Sequence, residues 1–168
     1  MKLINLWGAP GTGKSTTCAL LFGLMKLRGL KVEMAREYAK DVVWEKRFHL
    51  FEHQNYIFAK QCQRLYVLRD LDWVVTDCPI MLSAYYAPSD YSKHFGPLVR
   101  EVHDSFDNVN IFLHRTKAYD PMGRMQTELE ADVVSKELEA FLKLHVIDYT
   151  SMDANIRAPE KILEQLGL

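Results

Sequence analysis

Leu3-Ile4-Asn5-Leu6-Trp7-Gly8-Ala9-Pro10-Gly11-Thr12-Gly13-Lys14-Ser15-Thr16 decides how the chain is read. Leu3 to Trp7 is a short, mostly apolar run stopped by a glycine, which suits a strand buried on both faces and predicts the central strand of a sheet. Lys14 to Leu27 is rich in helix formers and closes on a basic last turn with Arg28-Gly29 as its stop. Between strand and helix stands G-x-x-x-x-G-K-[ST], in the one context where successive backbone N–H groups and a helix N-terminus converge on phosphate oxygens. Gly8, Gly11 and Gly13 let the backbone approach an anion, flanked by Thr12 and Thr16. Lys14 brings a positive charge to the β- and γ-phosphates, and the Ser15 hydroxyl is placed to hold Mg²⁺. The expected ligand is a nucleoside triphosphate, ATP with Mg²⁺.

Outward from this loop, Lys31 to Ala35 reads as a second strand and Trp44 to Asp70 as a helical region whose Leu50, Ile57, Phe58, Cys62 and Leu65 form a core-facing stripe. Trp73 to Thr76, Val109 to Leu113 and His145 to Ile147 read as strands three to five, with helical stretches before the last two. Pro159 to Gln165 closes the chain as a helix with proline near its start. Strands alternating with helices predict an α/β domain, a parallel sheet covered on both faces with right-handed crossovers. The 168 residues, 48% of them hydrophobic, suit one such domain over 1–168, without repeat or linker. The least regular segments, 87–91 and 115–124, are expected to be loops beside a site.

Twenty-one basic residues against 22 acidic ones leave no bulk electrostatic footprint of a sequence-independent DNA or membrane binder. Cys18, Cys62 and Cys78 show no CxxC spacing and read as reduced cysteines. No stretch has the length of a membrane span and the N-terminus has no signal-peptide pattern, so a cytoplasmic location is expected. Among the histidines only His49 and His53 are spaced i, i+4, and no carboxylate or cysteine at metal spacing supports them.

A GTPase would carry D-x-x-G after its third strand, whereas Asp77 is followed by Cys78-Pro79-Ile80; N-K-x-D is likewise missing near the fifth. A motor of the AAA+ type would add a helical lid domain, for which there is little room. Gly8 to Thr16, Arg36-Glu37-Tyr38, Asp77-Cys78-Pro79 and Gly123-Arg124 together resemble the P-loop nucleoside and nucleotide kinases. Within these the chain is similar to a small ATPase/kinase group common in phages and akin to the nicotinamide-riboside kinase domain, in which Gly-Arg precedes an acidic helix. The resemblance spans nearly the whole chain and implies strand order 2-3-1-4-5, ATP-dependent phosphoryl transfer, a nucleoside or nucleotide-like acceptor and a lid over about 115–127.

Asp77 ends a buried strand on the sheet edge that carries the P-loop, so it is a candidate for water-mediated Mg²⁺ binding or for polarising the acceptor, with a helix cap as the plain alternative. Glu37 stands where the nucleoside kinases that this chain resembles carry a carboxylate base; a hydroxyl acceptor needs one and a phosphate acceptor does not. Arg36 beside it is a candidate for an acceptor phosphate. Gln54 and Gln61, seven residues apart, share a helix face and are candidates for reading a base edge. The resemblance places Arg115 and Arg124 in the lid, where an arginine stabilises charge developing on the transferred phosphoryl group, and Asp153 near the adenine.

The reading is therefore a kinase that phosphorylates a hydroxyl of a nucleoside or nucleotide-like acceptor, with no membrane partner and a homodimer left open. Three alternatives stay beside it. One is a nucleoside monophosphate kinase. The second acts on a modified base in DNA, as in the phage hydroxymethyluracil DNA kinases that the chain also resembles; there Lys40, Lys46, Arg47 and His49 would hold a strand whose target base is flipped out. The third is an ATP-binding switch without an acceptor.

Overall fold

The computed structural model describes residues 1–120, 122 and 126–168. Five parallel strands form one sheet in the order β2-β3-β1-β4-β5. They are β1 (Lys2–Trp7), β2 (Val32–Ala35), β3 (Trp73–Thr76), β4 (Asp107–His114) and β5 (Thr150–Asp153). The helices are α1 (Lys14–Leu27), α2 (Tyr38–Trp44), α3 (Gln54–Tyr66), α4 (Leu82–Tyr85), α5 (Phe95–Asp104), α6 (Glu128–Leu144) and α7 (Ala158–Leu166), with a 3-10 turn at Phe48–Glu52.

The alternation along β1 builds the two cores. Ile4 and Leu6 face α1 and α7 together with Val75, Ile111, Leu21 and Ile162. Leu3 and Trp7 face the opposite layer of α3, α5 and α6 together with Phe58, Val99, Phe112 and Leu138. A slip of one residue would exchange these faces, and polar pairs across β1 and β4 oppose it. Asn5 Nδ2 donates to Asn108 Oδ1 at 2.8 Å and the Trp7 indole N–H donates to Asn110 Oδ1 at 3.1 Å.

Two stretches differ from the sequence reading, for one reason. The helical region expected over 44–70 begins earlier and is broken: α2 ends at Trp44 and α3 starts at Gln54. The fifth strand is not His145–Ile147 but Thr150–Asp153, because α6 runs on to Leu144. At both exits a non-glycine residue adopts the left-handed conformation, Lys46 at φ 57° and Val146 at φ 50°. The amides of Arg47 and Lys46 return to the carbonyls of Val42 and Val43, and those of Ile147 and Val146 to Leu142 and Lys143, the paired bonds of a Schellman cap. Ile147 is buried as the hydrophobic residue of that cap rather than as a strand residue. β5 is a mostly exposed edge strand that lacks an apolar signal.

Among the described residues no helix is long and apolar enough to cross a membrane. All three cysteines are free and buried. Burial pushes the Cys62 thiol up to about 11 and those of Cys18 and Cys78 further, which keeps them protonated and unreactive.

Candidate active site

Gly8 follows the last residue of β1, and there a β-carbon would lie 2.8 Å from the Leu113 carbonyl oxygen while φ is +141°, so only glycine lets the chain leave the sheet beside β4. The loop then closes on itself. The buried Thr12 donates from its hydroxyl to the Ala9 carbonyl at 2.6 Å, and Gly13, also at positive φ, caps α1 without a side-chain acceptor for the helix's first N–H groups. Those donors point into a cavity of about 450 Å³. Lys14 Nζ donates back to the carbonyls of Gly8 and Ala9, at 2.8 and 3.1 Å, which holds its charge over the loop. Ser15 and Thr16 line the same cavity.

The second wall comes from the β2–α2 junction. Glu37 is half-buried at the cavity edge, and two buried side chains fix its backbone: its N–H donates to Asp77 Oδ1 at 2.9 Å, and the next N–H, of Tyr38, donates to Gln61 Oε1 at 3.1 Å. Burial pushes the Glu37 carboxyl above its ordinary range, opposed by the Lys14 charge and reinforced by Asp77. The remaining wall is a slot of Val43, Phe51, Gln54, Ile57, Leu82 and Tyr86. Gln54 Nε2 donates to the Phe51 carbonyl at 3.0 Å, which ties this side chain to the wall it lines.

The expected site residues fall into two sets. Gly8, Gly11, Gly13, Lys14, Ser15, Thr16, Glu37 and Gln54 meet at one cavity. Thr12 and Asp77 are buried behind it, the first bracing the loop and the second bracing Glu37. Gln61 shares α3 with Gln54 but is tucked beneath Tyr38, with its Nε2 buried and unpartnered. Arg36 is exposed outside the cavity, where its carbonyl accepts from Arg64. Arg115 is bound to Glu128 at 2.6 Å and to Asp132, both on α6, and stacks over the Tyr119 ring. Asp153 is the exposed last residue of β5, and the next residue, Ala154, approaches the loop at Gly13. Arg124 lies outside the described residues.

Two cavity lysines were not singled out for the nucleotide site from the sequence. Lys40 comes from α2 and Lys117 from the segment after β4. That segment is clipped at its stem by the bonds of Arg115 to Glu128 and Asp132 of α6 and by the Tyr119 hydroxyl, which donates to the Gln126 carbonyl at 2.5 Å. A lysine after a strand carries no motif; only the strand order brings both to one opening.

A family model described as an AAA domain matches residues 3–158. The chain belongs to the AAA domain family. The match runs from the first strand into the last helix, and over it the described residues form one sheet with its covering helices. No curated protein matches the chain in sequence. Among solved structures, the NadR protein in complex with NR is similar at 16% identity and a TM-score of 0.72, over 99% of this chain and 52% of that one. The NadR protein with NAD and AMP-PNP gives 17% and 0.67, over 99% and 50%. Deoxyadenosine kinase from M. mycoides with bound dATP gives 20% and 0.57, with both chains covered in full. The chain thus spans about half the length of the NadR structures. At these identities the likeness is one of fold.

Proposed function

We propose that the protein is an ATP-dependent kinase that phosphorylates a hydroxyl of a nucleoside or nucleotide-like acceptor. The observation that carries this is the single cavity joining Lys14 and Ser15 of the P-loop to Glu37 on the opposite wall. The fold likeness to structures holding AMP-PNP, NR and dATP supports the same reading.

The loop amides and Lys14 bind the triphosphate, and the Ser15 hydroxyl is the group that would hold Mg²⁺, which when bound neutralises charge on the phosphate oxygens. The open slot between Phe51 and Tyr86 takes the flat part of the acceptor. Its hydroxyl oxygen forms a bond to the γ-phosphorus while the bond between that phosphorus and the bridging oxygen breaks, releasing ADP. The hydroxyl proton passes to the Glu37 carboxylate, whose raised basicity suits it to receive it. Asp77 and Gln61 act by position, holding the peptide that carries Glu37.

Incubating the protein with γ-labelled ATP, Mg²⁺ and a panel of nucleosides, nucleotides and oligonucleotides tests this. Label on an acceptor, lost in Lys14→Ala, is expected; ATP hydrolysis with no labelled acceptor would leave an ATPase or switch instead.

A further inference from the structure

The strand order separates the cavity lysines. β1 ends in the P-loop, β4 lies on one side of it and leads to Lys117, whereas β2 lies two strands away on the other side and leads through Glu37 to Lys40. At roughly 5 Å per strand, β2 stands about 10 Å across the sheet from the loop's own strand, and α2 with Lys40 follows it on the flank that carries Glu37. Lys40 is half-buried, and among the described residues no hydrogen bond or ion pair holds it in place; its charge reaches Glu37 through space and favours the ionised carboxyl there. A cation half-buried on a cavity wall, with no hydrogen bond among the described residues and a single carboxylate acted on by its charge, is suited to an anion that arrives with a ligand. Lys14 is already bent over the P-loop, and Lys117 enters the cavity from the β4 side.

We propose that the acceptor carries a phosphate group of its own, a phosphomonoester or a phosphodiester, which Lys40 binds while a separate hydroxyl of the same molecule faces Glu37. This rests on the kinase reading and narrows it. Glu37 caps the N-terminus of α2 in an extended conformation and Lys40 stands in the first turn of that helix, near enough for the Lys40 charge to act on the Glu37 carboxyl. That spacing lets the phosphate sit by the ammonium while the neutral hydroxyl, rather than an anion, meets the carboxylate. The bonds made and broken are those given above; Lys40 takes no part in them and acts on binding.

The test compares the common ribo- and deoxyribonucleosides, their 3′- and 5′-monophosphates and short single-stranded oligonucleotides, with wild type, Lys40→Ala and Lys40→Arg. Binding is followed by calorimetry in the presence of AMP-PNP, and turnover with labelled ATP. The best phosphate-bearing acceptor should bind about tenfold or more tightly than its parent nucleoside. Lys40→Ala should remove that advantage through KM with kcat nearly unchanged, and Lys40→Arg should restore most of it. Monophosphates and oligonucleotides separate the two phosphate sources. If a bare nucleoside binds as well as its phosphates, or if Lys40→Ala weakens both alike, the proposal is overturned. Lys40-dependent binding of a phosphate without label transfer would uphold it and sink the kinase reading instead.

Discussion

Glu37 and Asp77 are neighbouring carboxyl groups with different work, and substitutions that keep shape separate them. Glu37→Gln removes the proton acceptor and should lower kcat roughly a hundredfold while ATP binding is retained; near-normal turnover would mean that the acceptor arrives already anionic. Asp77 offers an oxygen to the Glu37 amide, which Asn can also offer. Asp77→Asn should therefore keep the fold, whereas Asp77→Ala should cost about 1–3 kcal/mol in urea titrations by leaving a buried donor unsatisfied. If Asp77→Asn is as inactive as Glu37→Gln despite normal stability, the Asp77 charge serves the metal as well. Lys14→Ala should abolish transfer without unfolding, since Lys14 bonds carbonyls of its own loop and lies outside both cores. A circular dichroism melt beside the labelled-ATP assay checks both halves of that expectation.

At the scale of elements, the helix exits at Val146 and Lys46 store removable strain. Val146 is 82% exposed, so its side chain contributes little packing, and a β-branched residue at positive φ costs on the order of 1–2 kcal/mol. Val146→Gly should raise stability by about 1 kcal/mol, read as an upward shift in the urea midpoint at constant slope; a destabilised variant would show that the cap is held by the valine. The same caps explain what the sequence hid. α1 and the last helix end on Gly29 and Gly167, both left-handed, and the first of these stops was legible as such. The ends at Trp44 and Leu144 use the same hydrogen bonds without the glycine, so a helix was read as starting at Trp44, where one ends, and an apolar tripeptide passed for a strand at the second. The P-loop and its flanking elements were legible because they are local and their motif has a fixed spacing. The separation of Gln54 from Gln61 was not, since a shared helix face says nothing of which neighbour covers it, and Tyr38 covers only one.

For the molecule as a whole, two buried titrations of opposite sign shape stability. Glu37 has its carboxyl raised by burial, so its contribution is complete at low pH and is lost as pH rises from the ordinary carboxylate range through its folded value. His103 is lowered by burial, so its contribution is present above the ordinary histidine range and is lost as pH falls below it. Glu37→Gln should therefore melt higher than wild type near neutrality, with the difference shrinking toward pH 4; a pH-independent difference would place the carboxylate in solvent. The indole of Trp7 opens another view of the same interior. It is fully buried, tethered to Asn110, and covalently adjacent to the first glycine of the loop, whereas Trp44 is 60% exposed and Trp73 partly so. Replacing Trp44 and Trp73 with Phe leaves a single tryptophan, sheltered from acrylamide at the threshold of the nucleotide cradle. Its emission would report ligand arrival in real time, without a label and without turnover, and Lys14→Ala in the same background would silence the signal.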